Sequence, residues 1–209
     1  GPAGCPRPPA PLSGRRNSAL KPESPAKPGS GKILIAGRPK GYRTVGEFAV
    51  RVTKDYLVFC AAHFITFGGE CEALHGHNYR VTVTLRGRTD ENYYVFDFVT
   101  LKRLAKAECD RLDHRMLLPT QNRHLEVRTA DGSVFVRFKE KLYQFPEADV
   151  VLLPIPNTTA EMLARYLAQR LRSHPLIAQA PNLGVLEVEV EESFGQSAHY
   201  RENLGGREA

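Results

Sequence analysis

The sequence predicts an α+β fold, an antiparallel β-sheet with two helices on one face. Three observations carry this. The stretches NYRVTVTLRGR and GVLEVEVEES alternate apolar and polar residues at period two, as strands with one buried face do. VTLKRLAKAECDRL and NTTAEMLARYLAQRLRSH instead repeat apolar residues at helical spacing. The order along the chain is strands, helix, hairpin, helix, strand, which suits an antiparallel sheet with helices segregated to one side.

The elements begin near residue 46. Residues 1–45 are rich in Pro, Gly and Ser, lack periodicity, and read as a disordered tail. The tail carries nine Lys/Arg against Glu23 alone, whereas residues 46–209 carry 20 Lys/Arg and 22 Asp/Glu. The formal net charge of +6 therefore resides in the tail, and residues 46–209 offer no nucleic-acid-like basic surface. A nucleic acid is an expected partner only through the tail, where AGRPKGY resembles a minor-groove arm less than a solvated segment. No apolar run approaches the roughly 20 residues that span a bilayer, and no secretory h-region opens the sequence. Four cysteines (5, 60, 71 and 109) form no C-x-x-C pair, so reduced thiols and a cytoplasmic location are expected.

EFAVRVTKDYLVFCAAH alternates with β-branched and aromatic residues and reads as one long strand or two short ones. NYRVTVTLRGR follows as the cleanest strand, then YYVFDF as a short extended run. The first helix places Val99, Leu101, Leu104, Ala105 and Leu112 on one stripe. HLEVRTADGSVFVRFKEKLYQFP reads as a β-hairpin turning at Asp131-Gly132. Asn and Thr cap the second helix, with Glu161 in its first turn, and GVLEVEVEES closes as a strand.

The chemistry concentrates in FCAAHFITFGGECEALHGHNY, residues 59–79. Strand residues two apart share a face, so His75 and His77 present both imidazoles to one point. His63, twelve residues earlier, reaches the same point if the two strands pair. Three histidines with an open fourth position form the ligand set of a catalytic zinc rather than a closed structural one. Cys71 then has two roles open to it: a zinc ligand, or a base or nucleophile beside the metal with its thiolate favoured by the positive field. Cys60 reads as packing among small apolar neighbours. Asp113 beside His114, at a helix end, supplies an acid/base imidazole with a carboxylate to orient it, or simply a histidine stabilised by the helix dipole. Glu192 ends a strand rich in glutamate and on composition alone reads as part of a solvated face.

Taken together, F-C-A-A-H (59–63), C-E-A-L-H-G-H-N-Y (71–79), F-D-F (96–98), L-D-H (112–114), N-T-T-A-E (157–161) and E-S-F-G-Q-S-A-H-Y (192–200) resemble the 6-pyruvoyltetrahydropterin synthase and 6-carboxytetrahydropterin synthase family. The resemblance covers roughly residues 47–203 and implies the tunnelling fold (T-fold). It implies one zinc per chain on His63, His75 and His77, with Cys71 as base and Asp113 and His114 completing a catalytic triad. It makes Glu192 the anchor for the guanidine-like edge of a pterin and places Thr159 beside the pterin pocket. The implied substrate is 7,8-dihydroneopterin triphosphate, and the implied assembly is a homo-oligomer, trimer or hexamer, with sites at subunit interfaces.

The three residues between Cys71 and His75 look like the carboxy-type enzymes, which release acetaldehyde and triphosphate on the route to deazapurines such as queuosine. The pyruvoyl-type reaction, triphosphate elimination towards tetrahydrobiopterin, is the alternative, and a non-catalytic zinc- and pterin-binding module is a third. The chain departs from the small bacterial pattern in its tail, in Thr158 where the family often has Pro, and in an inserted β-hairpin at about 121–150.

Overall fold

The structure, a computed structural model, describes residues 47–205, so the basic tail lies outside the described residues. The chain opens with one long strand, β1 (Phe48–His63), not two. A register shift between Thr53 and Val58 bends it without breaking it. A two-rung hairpin, β2 (Thr66–Phe67) and β3 (Glu70–Cys71), leads into β4 (His75–Gly87), which pairs antiparallel with β1.

The expected extended run at YYVFDF is instead a turn. The Asp90 carboxylate accepts from the backbone N–H groups of Asn92 and Tyr94, and Tyr93 takes a left-handed φ of 64°. Asp97 then caps helix α1 (Phe98–Leu112), accepting from Val99 and Thr100 at 3.2 and 2.7 Å.

After α1 come β5 (Arg115–Pro119), then β6 (Glu126–Ala130), β7 (Ser133–Phe138) and β8 (Lys141–Pro146), and β9 (Val150–Leu153). The segment expected to be an inserted hairpin is a three-stranded antiparallel sheet, β6-β7-β8. Its first turn is the expected Asp131-Gly132. A second turn at Lys139-Glu140, with Lys139 at φ 52°, adds the third strand. Helix α2 (Ala160–Arg172), the single-turn α3 (Pro175–Ala178), β10 (Leu183–Ser193) and β11 (Gln196–Asn203) complete the chain.

The main sheet has the order β11-β10-β4-β1-β5-β9. Its four long strands are antiparallel neighbours, as expected, while the short β5 and β9 join in parallel. Helix α1 packs over β1 and α2 over β10 and β11, on one face. That face is set by alternation. Tyr79, Val81, Val83 and Leu85 of β4 and Leu186, Val188 and Val190 of β10 are buried beneath Leu101, Leu104, Leu112, Leu163 and Leu167. Each such side chain contributes about 1.5–3 kcal/mol on burial.

The same alternation corrects the reading of Cys60. Leu57, Phe59, Ala61 and His63 point inward, so Cys60 points out and is exposed. A second apolar cluster lies under the insertion, where Val134, Val136 and Phe138 meet Phe64, Cys71, Met116 and Leu118. β5 separates the two clusters: Leu117 belongs to the helical core, while Met116 and Leu118 belong to the second. Among the described residues no helix is long and apolar enough to cross a membrane.

Candidate metal centre and active site

Antiparallel pairing sets His63, the last residue of β1, directly opposite His75, the first of β4. His77 is two residues on and shares the inward face. Gly76 between them keeps the strands close, since a Cβ there would sit 3.0 Å from the Ala61 carbonyl oxygen. Each of the three histidines offers a nitrogen, and these atoms lie within 4.8 Å of one another.

Two of the rings are oriented from behind. His63 Nδ1 is 2.9 Å from the Thr158 carbonyl oxygen and His75 Nδ1 is 2.8 Å from that of Ala73. A carbonyl only accepts, so each Nδ1 carries a proton, and in the neutral ring the lone pair left free is that of Nε2. Burial lowers the His63 pKa, opposed by the Thr158 bond and reinforced by His75, which keeps the ring neutral. Neutral imidazoles with converging lone pairs are what zinc requires, so the donor set fits the metal that the sequence implies.

Glu192, at the end of β10, reaches this group. Its Oε1 is 3.6 Å from His63 Nε2 and 3.8 Å from His77 Nε2. Tyr79 joins them: its hydroxyl lies 3.2 Å from His63 Nε2 and donates to Glu192 Oε1 at 3.5 Å. Its ring is wholly buried and stacks on Phe59. Burial and the Glu192 carboxylate push the phenol pKa well up, so Tyr79 stays protonated as a donor. Sequence reading passed over Tyr79 as a site residue, although the period of two through His75 and His77 points to it. Beside the group opens a cavity of about 390 Å³ lined by His77, Asn78, Arg80, Glu192, Ser193 and Phe194.

Among the described residues, no hydrogen bond or ion pair joins Cys71 to the three histidines. Cys71 is 6% exposed and belongs to the second apolar cluster, its thiol directed to the Glu72 carbonyl at 3.5 Å. Burial pushes its pKa up, and the Lys141 ammonium offsets only part of that rise. Glu72, which the sequence reading did not single out, places its carboxylate 4.0 Å from His75 Nε2.

Asp113 and His114 form a pair, Oδ2 to Nδ1 at 2.9 Å, at the end of α1. The Cys60 backbone N–H donates to Asp113 Oδ1 at 2.7 Å, and this bond first, then His114, holds the carboxyl below its usual range. His114 adopts φ 55° and its side chain is 81% exposed, so the ring projects away from its own protomer's core. Within one chain, none of the hydrogen bonds or ion pairs above joins Asp113 or His114 to Cys71 or to the three histidines.

Thr159 occupies the N-cap position of α2 but makes no side-chain capping bond. The threonine that touches the site is its neighbour. Thr158 is fully buried, its carbonyl holds His63, and its hydroxyl donates to the Phe64 carbonyl at 3.0 Å. The backbone N–H of Thr158 also donates to Asn157 Oδ1, which a proline could not do.

The family model described as 6-pyruvoyl tetrahydropterin synthase matches residues 51–203. A Methanocaldococcus jannaschii protein, provisionally named a 6-carboxy-5,6,7,8-tetrahydropterin synthase, is 38% identical over 149 residues, 71% of this chain and 91% of its own length. The Haemophilus influenzae protein named 6-carboxy-5,6,7,8-tetrahydropterin synthase is 27% identical over 128 residues, 58% of this chain and 82% of its own. Among solved structures, the Plasmodium vivax 6-pyruvoyl tetrahydropterin synthase superposes with a TM-score of 0.71 at 31% identity, covering 76% of this chain and 99% of that one. Two further Plasmodium vivax structures are variants of a glutamate described there as a catalytic residue.

Proposed function

The chain belongs to the 6-pyruvoyl tetrahydropterin synthase family, and from that premise we propose that it is a zinc-dependent lyase acting on 7,8-dihydroneopterin triphosphate. The proposed products are 6-carboxy-5,6,7,8-tetrahydropterin, acetaldehyde and triphosphate. The observation that carries this is the convergence of His63, His75 and His77, two of them oriented from behind, with the Glu192 carboxylate at their edge. The names of the archaeal and Haemophilus influenzae relatives, and the three residues between Cys71 and His75, favour the carboxy product.

One zinc held by the three histidines would polarise the side-chain hydroxyls of the substrate and acidify the adjoining C–H. Glu192 accepts the N–H groups of the pterin edge, a charge-assisted pair of bonds that orients the ring. Thr159, at the start of α2, is the residue proposed to lie beside the pterin. Cys71, as thiolate, takes the carbon-bound proton. Asp113 orients His114, which moves protons to and from oxygen. Since His114 is exposed on its own protomer, a neighbouring copy completes the site in this scheme, in a homo-oligomer of trimeric or hexameric form. Free thiols at Cys60, Cys71 and Cys109 suit a reducing cytoplasm.

A second reading concerns the base. The Glu72 carboxylate lies 4.0 Å from His75 Nε2, and a glutamate is described as catalytic in the Plasmodium vivax protein. On this reading Glu72 takes the carbon-bound proton, and the likeness to that protein makes the 6-pyruvoyl product the alternative.

The test is to supply purified protein with 7,8-dihydroneopterin triphosphate and identify the pterin by mass. A 6-carboxy product with one acetaldehyde per turnover is expected, and a 6-pyruvoyl product would establish the second branch. No turnover by zinc-loaded protein would leave a binding module. Cys71→Ala and Glu72→Gln proteins, each with normal zinc content, separate the two bases: loss of triphosphate release in one and not the other names the group.

A further inference from the structure

The hairpin that carries Cys71 cannot hold itself. It consists of two residue pairs, Thr66 with Cys71 and Phe67 with Glu70, closed by Gly68-Gly69 at φ 56° and 79°. So short a hairpin is marginal in water, and its turn is the most flexible the chain can build. Yet its last residue is the thiol proposed as a base.

Asn157 holds the Thr66 backbone through two bonds and the Glu72 N–H donates to the Ile65 carbonyl; the remaining support comes from the insertion. Asn122 Nδ2 donates to Thr66 Oγ1 at 2.8 Å at one end. Lys139 Nζ donates to the Gly69 carbonyl at 2.7 Å at the turn, with Glu70 at 3.9 Å. Lys141 Nζ donates to the Cys71 carbonyl at 2.6 Å at the other end. Beneath these bonds Val134, Val136 and Phe138 of β7 pack with Phe64 and Cys71, and Tyr143 of β8 stacks on Phe64 with centroids 5.1 Å apart.

We propose that the three-stranded insertion is a brace for the Cys71 hairpin and that Lys141 is its positioning residue. The inference rests on the reading of Cys71 as base for its catalytic meaning, though not for its mechanics. The Lys141 ammonium fixes the peptide plane that follows Cys71 and thereby the directions of the thiol and of Glu72. A charge-assisted bond to a carbonyl at this spot also places a cation beside the thiol, which favours the thiolate.

Carbamidomethylation by iodoacetamide, followed residue by residue against pH, reads both effects. The plateau rate at high pH reports access to Cys71, and the midpoint reports the local field. The exposed Cys60 serves as internal standard. In Lys141→Met the plateau at Cys71 should rise about tenfold, as expected for loss of a charge-assisted bond that holds a local segment closed. The midpoint should move to higher pH, kcat should fall with KM and zinc content kept, and Lys141→Arg should restore all three. An unchanged Cys71 profile in Lys141→Met overturns the proposal.

Reaction at the buried Cys109 would reveal global unfolding. In that case Lys139→Met, which frees the Gly69 carbonyl instead, carries the same expectation of faster Cys71 reaction, and no change there is equally fatal. Full turnover by Cys71→Ala would overturn the base reading while leaving the alkylation result intact, so the two failures are distinguishable.

Discussion

His63 Nδ1–H donates to the carbonyl oxygen of Thr158 at 2.9 Å, joining positions 95 residues apart. The bond decides which nitrogen of a buried imidazole faces the other two histidines. It depends in turn on the Thr158 hydroxyl, which pins the segment to the Phe64 carbonyl.

Thr158→Val keeps the volume and removes that pin, leaving the Phe64 carbonyl buried without its donor. Metal-free protein should lose about 1–3 kcal/mol in urea unfolding. Zinc affinity, measured by competition with a chelator, should fall about tenfold as His63 loses its fixed direction. Thr158→Ser should recover most of both.

Replacing His75 or His77 by Ala should abolish stoichiometric zinc, read as metal per chain by mass spectrometry, from one to near none. Chelation of wild-type protein should stop turnover, and zinc should restore it. An active protein isolated without metal would contradict the scheme.

The thiols among the described residues should react in a fixed order. Cys60 is exposed and should be alkylated first at pH 8. Cys109 lies in the helical core with its pKa pushed up to about 12 by burial, and should stay unmodified until the chain unfolds. Peptide mapping during a urea titration checks the order.

Asp113 supplies a pH dependence whose sign follows from its bonds. Its carboxyl is lowered from the ordinary value of 3.8, chiefly by the Cys60 N–H and then by His114. The unfolded chain takes up the proton first as pH falls. The stabilisation is therefore complete above about pH 3.8 and is lost as pH drops through the lower folded value. Asp113→Asn should be less stable than wild type near neutrality, with the gap closing in acid. A constant gap down to pH 2 would show that ionisation is irrelevant. Because the side chain is 35% exposed, solvent screening should keep the difference small.

Much of this was legible in the sequence, for physical reasons that differ by element. β4 and β10 announce themselves because one face is buried and the other is wet, so polarity alternates. β5 does not, because both its faces are covered and RMLLP carries no period. β11 does not, because QSAHYREN is an edge strand whose inner face is only half-buried and whose apolar residues are just Ala198 and Tyr200.

The convergence of the three histidines is readable because period two and the His63 to His75 spacing are local signals. Glu192 enters only through the family resemblance and Thr158 not at all: each reaches His63 through strand order and loop packing, which no spacing encodes. Cys60 was misassigned because small neighbours suggested a core, whereas parity along β1 decides the matter.

β5 lies between two apolar clusters, so the insertion is not an accessory that can be trimmed away. Excising residues 121–150 would strip cover from Phe64, Cys71, Met116 and Leu118 together and expose a continuous greasy wall. The tolerant points for engineering are the tips instead: Gly132, at φ 71°, has nothing within 4 Å of a would-be Cβ. A tag or sensor spliced at that turn should leave both cores sealed, whereas a shortened β7 should yield an aggregating protein.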